Sequence, residues 1–196
     1  MLRIATIQGI TETPSDGRTV LEKARNWFAN VEPAGVETIG WYRTFGIPTS
    51  AVYLFKSHSA RDVEKLLSYW REWSFDVHLG QDWLELLPIR GLQVTKNNHT
   101  GLPYVAFLRN VQSWALDDPA FVERLRPWLD PSQQPPVTPL GLYKALGTTA
   151  PLINVFSLTN HSELEALCQH WRDLSYEVAP AADWMAAWRQ QGISVG

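Results

Sequence analysis

Apolar residues recur with a helical period in two stretches of the chain, residues 59–83 and 160–184. In the first stretch they stand at i, i+3, i+4 and i+7 from Val63, and the positions between them are polar. This pattern predicts an amphipathic helix with one buried face. Ser59 and Asn160 precede the two patterns and favour the N-cap position, with an acidic residue three positions later as in a capping box. We therefore predict a helix after each of these two residues.

The period changes to two directly after each predicted helix. Phe75, Val77 and Leu79 alternate with polar residues in the first stretch. Tyr176 and Val178 do the same in the second, so a strand with one apolar and one polar face follows each helix. The apolar face is expected to pack on helices, and the polar face is expected to meet water or a polar cavity.

The two stretches belong to a longer internal repeat. Shifting residues 2–92 by 101 positions aligns them with residues 103–193 without a gap, and 19 of the 91 pairs are identical. A fixed displacement of this kind indicates duplication of one structural unit. We predict that residues 1–92 and 103–196 are two such units, joined by a junction at residues 93–102.

Each repeat is expected to follow the order β-α-β-β-α-β, which is the split βαβ arrangement of ferredoxin-like domains. Six further strands are predicted, at residues 3–10, 37–45, 51–56, 104–111, 138–146 and 152–157. Such a unit has helices on one face of its sheet only, so the other face needs a partner. Two copies in one chain can cover each other, which predicts a single α+β fold.

The ends of the remaining helices are predicted from capping residues and prolines. Asp16 and Asp117 are expected to cap the first helix of each repeat, and Pro127 is expected to kink or shorten that helix in the second repeat. A short helix is expected to follow the last strand of each repeat. Its predicted N-caps are Asp82 and Asp183. Residues 130–139 are predicted to be a stiff loop, and the junction is predicted to contain a turn.

The Gly-Trp-Tyr run at Gly40 and the Trp70 … Phe75-Asp-Val ending resemble the dimeric α/β-barrel superfamily, and most of all a branch of small bacterial domains of uncharacterised function. The resemblance covers nearly the whole chain twice. It implies two tandem ferredoxin-like βαββαβ repeats that form an intramolecular dimeric α/β-barrel with a ligand-binding cavity. Members of that branch tend to carry histidine where this chain has Arg43 and Lys144, so the role of that histidine does not transfer. The wider superfamily includes polyketide cyclases, cofactor-free monooxygenases and haem enzymes.

Composition restricts the partners and the compartment. The net charge is −3 and there is no basic run, which argues against nucleic acid as a partner. No apolar run reaches the roughly 18 residues that a membrane span needs, and no signal peptide is visible. Ten tryptophans favour large aromatic cores or an aromatic-lined pocket. The single cysteine, Cys168, excludes an internal disulfide and is predicted to be a small core residue, which fits the cytoplasm.

The strongest candidate for chemistry is the pair Asp76 and His78, two residues apart on the polar face of a predicted strand. A carboxylate beside an imidazole is suited to general acid–base catalysis. The second repeat keeps an acid, Glu177, but has Ala179 in place of the histidine, so only one repeat would carry the pair. Alternatively, the two residues form an exposed strand face, or His78 is a satisfied core histidine.

Several other polar residues are candidate ligand contacts. Gln8 and Arg109 occupy equivalent positions on the first strand of each repeat, and Arg109 could hold an anionic ligand or pair with Asp76 or Glu177. Arg43 and Lys144, equivalent on the second strand, are candidate ligand contacts or rim charges with packed stems.

A tyrosine follows a glycine two residues earlier on the second strand of both repeats. The glycine could leave room for a ligand or a helix. Tyr42 and Tyr143 are therefore candidate proton donors, with packing as the alternative.

No metal site is predicted, because none of the five histidines has the spacing of metal ligands. Two hypotheses follow from the candidates. The first is a small cofactor-free enzyme of cyclase, isomerase or monooxygenase type, acting on an apolar or aromatic metabolite. The second is a non-catalytic module that binds a small hydrophobic molecule or a protein. A haem protein with His78 as ligand is a further alternative. The molecule is expected to be a monomer with a pseudo-twofold axis or a homodimer.

Overall fold

A computed structural model describes residues 1–13, 16–94, 101–112, 114–129, 137–147 and 150–195. Within these ranges the chain forms eight strands and six α-helices. The strands are β1 (Leu2–Gln8), β2 (Val36–Thr44), β3 (Ala51–Ser57), β4 (Ser74–Asp82), β5 (Leu102–Leu108), β6 (Thr138–Ala145), β7 (Leu152–Leu158) and β8 (Tyr176–Asp183). The α-helices are α1 (Val20–Asn26), α2 (Ala60–Tyr69), α3 (Trp83–Leu86), α4 (Pro119–Leu129), α5 (His161–His170) and α6 (Trp184–Gln190).

The strands are hydrogen-bonded in the order β1-β3-β2-β8-β5-β7-β6-β4, and β4 pairs back to β1. This order is a closed antiparallel barrel, so the predicted α+β fold built from two βαββαβ repeats is confirmed. The six strands predicted with explicit bounds are all present, and their ends differ from the prediction by three residues or fewer. Strand ends are the least certain part of such a prediction because alternation fades into turn residues.

Contacts divide the chain into two compact units. The first unit contains Met1–Leu79 with Ala182–Gly196, and the second contains Gly80–Ala181. Each unit therefore takes its last helix from the other sequence repeat: α6 packs on β2, and α3 packs on β6. The boundaries predicted from the repeat are those of the duplicated sequence, whereas the boundaries of the two units are those of residues that pack together.

The two units fill the layer between sheet and helices differently. In the first unit Trp41 is fully buried, with ring contacts to Tyr53, Trp70 and Trp188 among others. In the second unit the equivalent of Trp41 is a leucine, and Asn154 takes the place of Tyr53. The amide oxygen of Asn154 is buried without a hydrogen-bond partner among the described residues. Aromatic residues are thus 7 of the 16 buried residues in the first core and 4 of 19 in the second, which is mainly aliphatic.

Four of the predicted N-caps are confirmed. The side chains of Ser59 and Asn160 accept hydrogen bonds from the backbone N–H groups three residues later, at 3.2 Å in both cases. Asp82 and Asp183 cap α3 and α6 in a similar way, at 3.0 Å. These contacts satisfy N–H groups that have no partner within the helix.

The predicted caps of α1 and α4 are wrong. Thr19 caps α1, because it forms a complete capping box with Glu22. Asp16 instead accepts hydrogen bonds from Arg18. At α4 the side chain of Asp118 accepts from the backbone of the first turn, at 2.9 Å. In both helices the residue that caps lies closer to the first turn than the predicted aspartate.

A charged contact between the two main helices is present in both units. In the first unit the Lys23 ammonium on α1 is almost fully buried and contacts Glu72, just after α2. In the second unit Arg124 on α4 contacts Asp173 in the equivalent position. Each cation also lies over a tryptophan ring, at 5.2 Å for Lys23 and 4.4 Å for Arg124. In each unit these charge and ring contacts hold the first helix against the end of the second.

The residue before that tryptophan binds the first helix in both units. The Tyr69 hydroxyl donates to the Lys23 carbonyl at 2.9 Å. In the second unit His170 takes this place, and its Nε2 lies 3.0 Å from the Arg124 carbonyl. Because a carbonyl only accepts, this contact requires a proton on Nε2.

Replacing His170 with tyrosine is expected to remove a loss of stability at acidic pH. Burial lowers the pKa of His170 below its ordinary value of 6.5. As the pH falls from 6.5 towards the lower pKa of the folded state, the unfolded chain binds the proton first, so stability decreases. Tyrosine copies Tyr69 and does not titrate there. Urea unfolding at about pH 7.5 and pH 5 should show a smaller decrease in the His170→Tyr variant; an equal decrease in both proteins contradicts the assignment.

Two further predictions agree with the structure only in part, and two others fall mostly outside the described residues. Cys168 is half-buried rather than a core residue, and its carbonyl accepts a hydrogen bond from the Tyr176 hydroxyl. Pro127 lies inside α4, which continues to Leu129. The predicted stiff loop at 130–139 and the predicted junction turn lie mostly outside the described residues. None of the helices described has the length and apolar character that crossing a membrane requires.

Candidate functional site

The candidate acid–base pair lies on β4, whose two faces differ. Phe75 and Val77 pack into the core between sheet and helices of the first unit. The alternate residues, Asp76 and His78, therefore lie on the opposite face of the strand. Strand β1 pairs with β4 in a register that sets Thr6 opposite Asp76. The predicted alternation is thus present from Phe75 to His78, but it is wrong at Leu79, which is 37% exposed and does not pack in that core.

The His78 imidazole and the Asp76 carboxylate are in contact, with Nε2 lying 3.0 Å from Oδ2. The side chain of His78 is 25% exposed and that of Asp76 is 73% exposed, so the pair is open to solvent. A carboxylate beside one ring nitrogen orients the imidazole and leaves the other nitrogen to exchange a proton. This geometry can carry out general base catalysis on a molecule that reaches Nδ1.

Polar and apolar groups surround the pair in two separate zones. Thr6 and Gln8 lie on the same face of β1, and Gln8 is exposed. Ile4 is opposite His78, and Leu54 on β3 is opposite Ile4. Both of these apolar side chains are fully buried. The pair therefore stands between a polar strand end and a covered apolar floor, rather than inside an open apolar pocket.

Tyr42 lies on the same face of the sheet but three strands away from Asp76. Thr6 and Val52 occupy the two intervening strands in the register. Because neighbouring strands are about 4.8 Å apart, the backbones of Tyr42 and Asp76 are about 14 Å apart. Burial, together with the nearby Asp183 carboxylate, raises the pKa of Tyr42 well above its ordinary value. The hydroxyl stays protonated at neutral pH, but it is not adjacent to the His78 pair.

The glycine before each candidate tyrosine is covered by that tyrosine itself. A Cβ built on Gly40 would lie 2.8 Å from Cε2 of Tyr42, and one built on Gly141 would lie 2.2 Å from Cε2 of Tyr143. The pairing register shifts just before both glycines, at the same place in the two repeats. The space that the sequence analysis left open for a ligand or a helix is thus occupied by a ring. Tyr143 is also buried.

The equivalent strand face in the second unit carries a closed ion pair. Arg109 Nη2 lies 3.2 Å from Glu177 Oε2, and both side chains are partly exposed. Of the two protein carboxylates named as partners of Arg109, the structure therefore pairs it with Glu177. Phe107, directly opposite Glu177, is buried, and Ala179 is fully buried. With Ala179 at the position equivalent to His78, this face carries no imidazole beside its carboxylate.

Arg43 and Lys144 hold the turn between the second and third strands of their repeats. Arg43 donates to the carbonyls of Thr44 and Ser50. Lys144 is fully buried, and its Nζ donates to the Ala145 carbonyl at 2.7 Å and to a second carbonyl across the turn. Burial lowers the pKa of both groups. Both cations are thus engaged by backbone oxygens of their own hairpin.

Three cavities are described, all in the second unit. Two of them, of about 10 and 20 Å³, lie in the aliphatic core beside Asn154. The third is a surface cleft of about 210 Å³ between β4 and the helices that follow it. None of these three is lined by His78. The predicted cavity at the pair is therefore not among those described.

The described residues around His78 do not form a ready-made haem site. Nε2, the nitrogen that most often binds iron, already lies 3.0 Å from the Asp76 carboxylate. The apolar residues beside the ring, Ile4 and Leu54, are fully buried, so neither presents open apolar surface on which a porphyrin could pack. Among the described residues there is also no group of three or more side chains suited to hold a metal ion.

Two polar contacts were missed by the sequence analysis. The first is the contact between Lys23 and Glu72, which are 49 positions apart in the sequence. The repeat alignment contains a signal for it, because a cation and an acid are kept at the equivalent positions, Arg124 and Asp173. An ion pair between Arg90 and Asp117 has no counterpart in the other unit, so the repeat gives no signal for it.

Comparison with solved structures identifies the fold. A chlorite dismutase from Candidatus Nitrospira defluvii, solved as a point mutant, superposes with a TM-score of 0.58 at 13% identity, covering 96% of this chain and 93% of that one. The same protein in complex with imidazole gives the same values. A candidate chlorite dismutase gives a TM-score of 0.54 at 10% identity, covering 93% and 94%.

The chain therefore has the dimeric α/β-barrel fold, in the form that chlorite dismutases share. The predicted resemblance to that superfamily is confirmed at the level of fold. At these identities the likeness does not extend to activity. No protein-family model matches the sequence, and no curated protein is similar to it.

Proposed function

We propose that this protein is a small enzyme that moves a proton on an apolar small molecule, with His78 as the general base. The observation that carries the proposal is the 3.0 Å contact between His78 Nε2 and the Asp76 carboxylate on a solvent-accessible strand end. Asp76 orients the ring and stabilises the imidazolium that forms during the reaction. No counterpart exists in the second repeat, where Ala179 replaces the histidine.

The proposed step begins with a carbon acid, a molecule with a C–H bond next to a carbonyl. His78 Nδ1 takes that proton, and the electron pair of the C–H bond moves to the carbonyl oxygen to give an enolate. The exposed amide of Gln8, on the neighbouring strand, is the group available to donate a hydrogen bond to that oxygen. Return of the proton from His78 to the far carbon of a conjugated enolate shifts the double bond and gives an isomer. Alternatively, the enolate carbon attacks a second carbonyl of the same molecule and closes a ring; the electron pair of that C=O bond moves to its oxygen, which then takes the proton from His78. The reaction is thus of isomerase or cyclase type.

The proposed partner is a small apolar or aromatic molecule rather than a macromolecule. The net charge of −3 argues against nucleic acid. The absence of a spanning helix among the described residues gives no support for a membrane partner. The protein itself is proposed to act in the cytoplasm, either as a monomer whose two repeats differ in function or as a homodimer.

The test is deuterium incorporation from D2O into a panel of apolar ketones, such as 2-indanone and β-tetralone, followed by proton NMR. The wild-type protein should accelerate the exchange, and His78→Gln should lower the rate by about 100-fold or more, the usual contribution of a general base. Asp76→Asn should lower it by a smaller factor, because the base remains but loses its orienting group.

His161→Gln is the matched control. His161 is an exposed histidine whose Nε2 lies 3.7 Å from the Glu165 carboxylate on α5, so it is also an imidazole–carboxylate pair. Its removal should leave the exchange rate unchanged. Exchange no faster than in buffer, or equal loss in the His78 and His161 variants, counts against the proposal.

A non-catalytic binding module is the second candidate. Ile4 and Leu54 beside the pair are fully buried, so they offer no open apolar surface on which a substrate could be positioned for reaction. A module that binds only through the accessible Asp76–His78 pair does not need such a surface, which favours this candidate. Ligand-induced shifts of the His78 ring in NMR, without any exchange catalysis, would support this candidate over the enzyme.

A further inference from the structure

The surface cleft of the second unit is separate from the His78 pair and has a different chemistry. Its volume is about 210 Å³, and it lies between the end of β4, α3 and two short 3-10 helices, Leu87–Arg90 and Ala115–Asp117. The six residues that line it divide equally into polar and apolar types. They are Gln81, Arg90, Asp117, Leu86, Ile89 and Leu116.

The charged groups of the cleft form a pair with free edges. Nη2 of Arg90 contacts Oδ1 of Asp117, and both side chains are about half exposed. Within the described part of the chain, Nε and Nη1 of Arg90 have no acceptor, and Oδ2 of Asp117 has no donor. A ligand can therefore bind the guanidinium and the carboxylate at the same time without separating them.

The amide of Gln81 is oriented by a buried tryptophan. The indole Nε1–H of Trp83 donates to Oε1 of Gln81 at 3.4 Å. That contact fixes which side of the amide accepts, so the NH2 group is the side left to donate. The cleft thus offers two donor groups and one acceptor carboxylate, with zero net charge.

Three aliphatic side chains complete the cleft. Leu86 and Leu116 form walls on two different helices, and Ile89 is 78% exposed at the rim. An apolar group that covered Ile89 would remove that surface from water, which is favourable by the hydrophobic effect.

We propose that this cleft binds an α-amino acid with an aliphatic side chain. The ligand carboxylate accepts from the free edge of Arg90 and from the Gln81 amide. Its ammonium group donates to the free oxygen of Asp117, and its side chain packs on the three aliphatic residues. The two charges of an α-amino acid are attached to one carbon, which matches the adjacent charges of the Arg90–Asp117 pair. A simple acid would bind Arg90 but offer no cation to Asp117, and a simple amine would bind Asp117 but offer no anion to Arg90.

The first unit lacks this arrangement, although it derives from the same ancestral sequence. The positions equivalent to Gln81 and Arg90 are Ala182 and Gln191. Asp16, equivalent to Asp117, is held by Arg18 instead. The proposed site is therefore a feature of the second unit alone and is independent of the proposed acid–base function.

The test is an NMR titration of the full-length protein with L-leucine, 4-methylpentanoate and 3-methylbutylamine. Leucine should shift the Gln81 side-chain amide and the Trp83 indole N–H, which reports on that amide. The acid without the amine, and the amine without the acid, should bind at least ten-fold more weakly. No shift with leucine up to about 20 mM, or equal binding by 4-methylpentanoate, overturns the proposal.

Variants separate the cleft from surface charge in general. Arg90→Met and Asp117→Asn should each weaken leucine binding at least ten-fold. If either of these variants fails to fold, Gln81→Met replaces it in the test and should also weaken leucine binding. Lys56→Met is the matched control, because Lys56 forms an exposed ion pair with Glu37 in the other unit. It should bind leucine like the wild type. Unchanged binding in the folded cleft variants, or equal weakening in the control, overturns the proposal.

Discussion

Replacing Trp41 with alanine is expected to lower the free energy of unfolding by about 3–5 kcal/mol, the range found for large-to-small changes of buried aromatic residues. The Trp41 side chain is fully buried in the first unit. Its ring lies 4.3 Å from that of Tyr53 and 5.2 Å from that of Trp188, centroid to centroid. These neighbours come from the sheet and from α6, so they cannot collapse together to fill the space that the indole leaves.

Urea unfolding measures this loss as a lower midpoint at an unchanged slope. Trp114 is the control, because it is the same residue type but 64% exposed. Trp114→Ala should change stability by less than about 0.5 kcal/mol. A loss below about 1 kcal/mol for Trp41→Ala would mean that the aromatic cluster is not the core of the first unit.

Removing Glu72 is expected to lower the free energy of unfolding by about 3 kcal/mol, because a buried cation then loses its main counter-charge. The Lys23 side chain is only 2% exposed, and its Nζ also lies 3.5 Å from Asp16 and 3.3 Å from the Tyr69 carbonyl. These remaining contacts keep the expected loss at the lower end of the range for broken buried pairs.

Removing the cation instead of the carboxylate should lower the free energy of unfolding by less, and this difference between the two losses makes the test specific. Lys23→Met keeps an apolar stem beside the rings of Tyr69 and Trp70 and leaves the Glu72 carboxylate unpaired. Because the Glu72 side chain is 11% exposed, against 2% for Lys23, this carboxylate is nearer to water, so the loss should be smaller than that of Glu72→Ala. Asp173→Ala, the counterpart of the Glu72 change in the second unit, should be less harmful than Glu72→Ala, because Arg124 is more exposed than Lys23. Urea unfolding of the three variants measures these differences. A loss below about 1 kcal/mol for Glu72→Ala, which is the range of exposed pairs, would contradict a buried ion pair.

The fold could be predicted because its signals are local and occur twice. The period of the apolar residues around Leu66 and Leu167 defines the same helix in each copy, and the change of period at Phe75 defines the following strand. Caps were predictable where a single candidate stood before the pattern, as at Ser59. The cap of α1 was missed because Asp16 was chosen for its residue type alone, although Thr19 and Glu22 have the capping-box spacing in the sequence.

The candidate site was less predictable, because contacts across strands depend on register. Sequence spacing indicates that Asp76 and His78 share a strand face, and the structure agrees. It contains no information that Tyr42 lies three strands away, or that its ring covers Gly40. The pairing of Arg109 with Glu177 rather than Asp76 also depends on which strands are neighbours. Long-range contacts of this kind have no periodic signal in the chain.

The most direct test of the proposed function is the tautomer of His78, read from long-range ¹H–¹⁵N NMR correlations of the imidazole near pH 8. A general base oriented by Asp76 requires the proton on Nε2 and an unprotonated Nδ1, and Asp76→Asn should shift the balance between the two tautomers. Histidine protonated on Nδ1, with a spectrum that Asp76→Asn leaves unchanged, would contradict the acid–base pair on which the account depends.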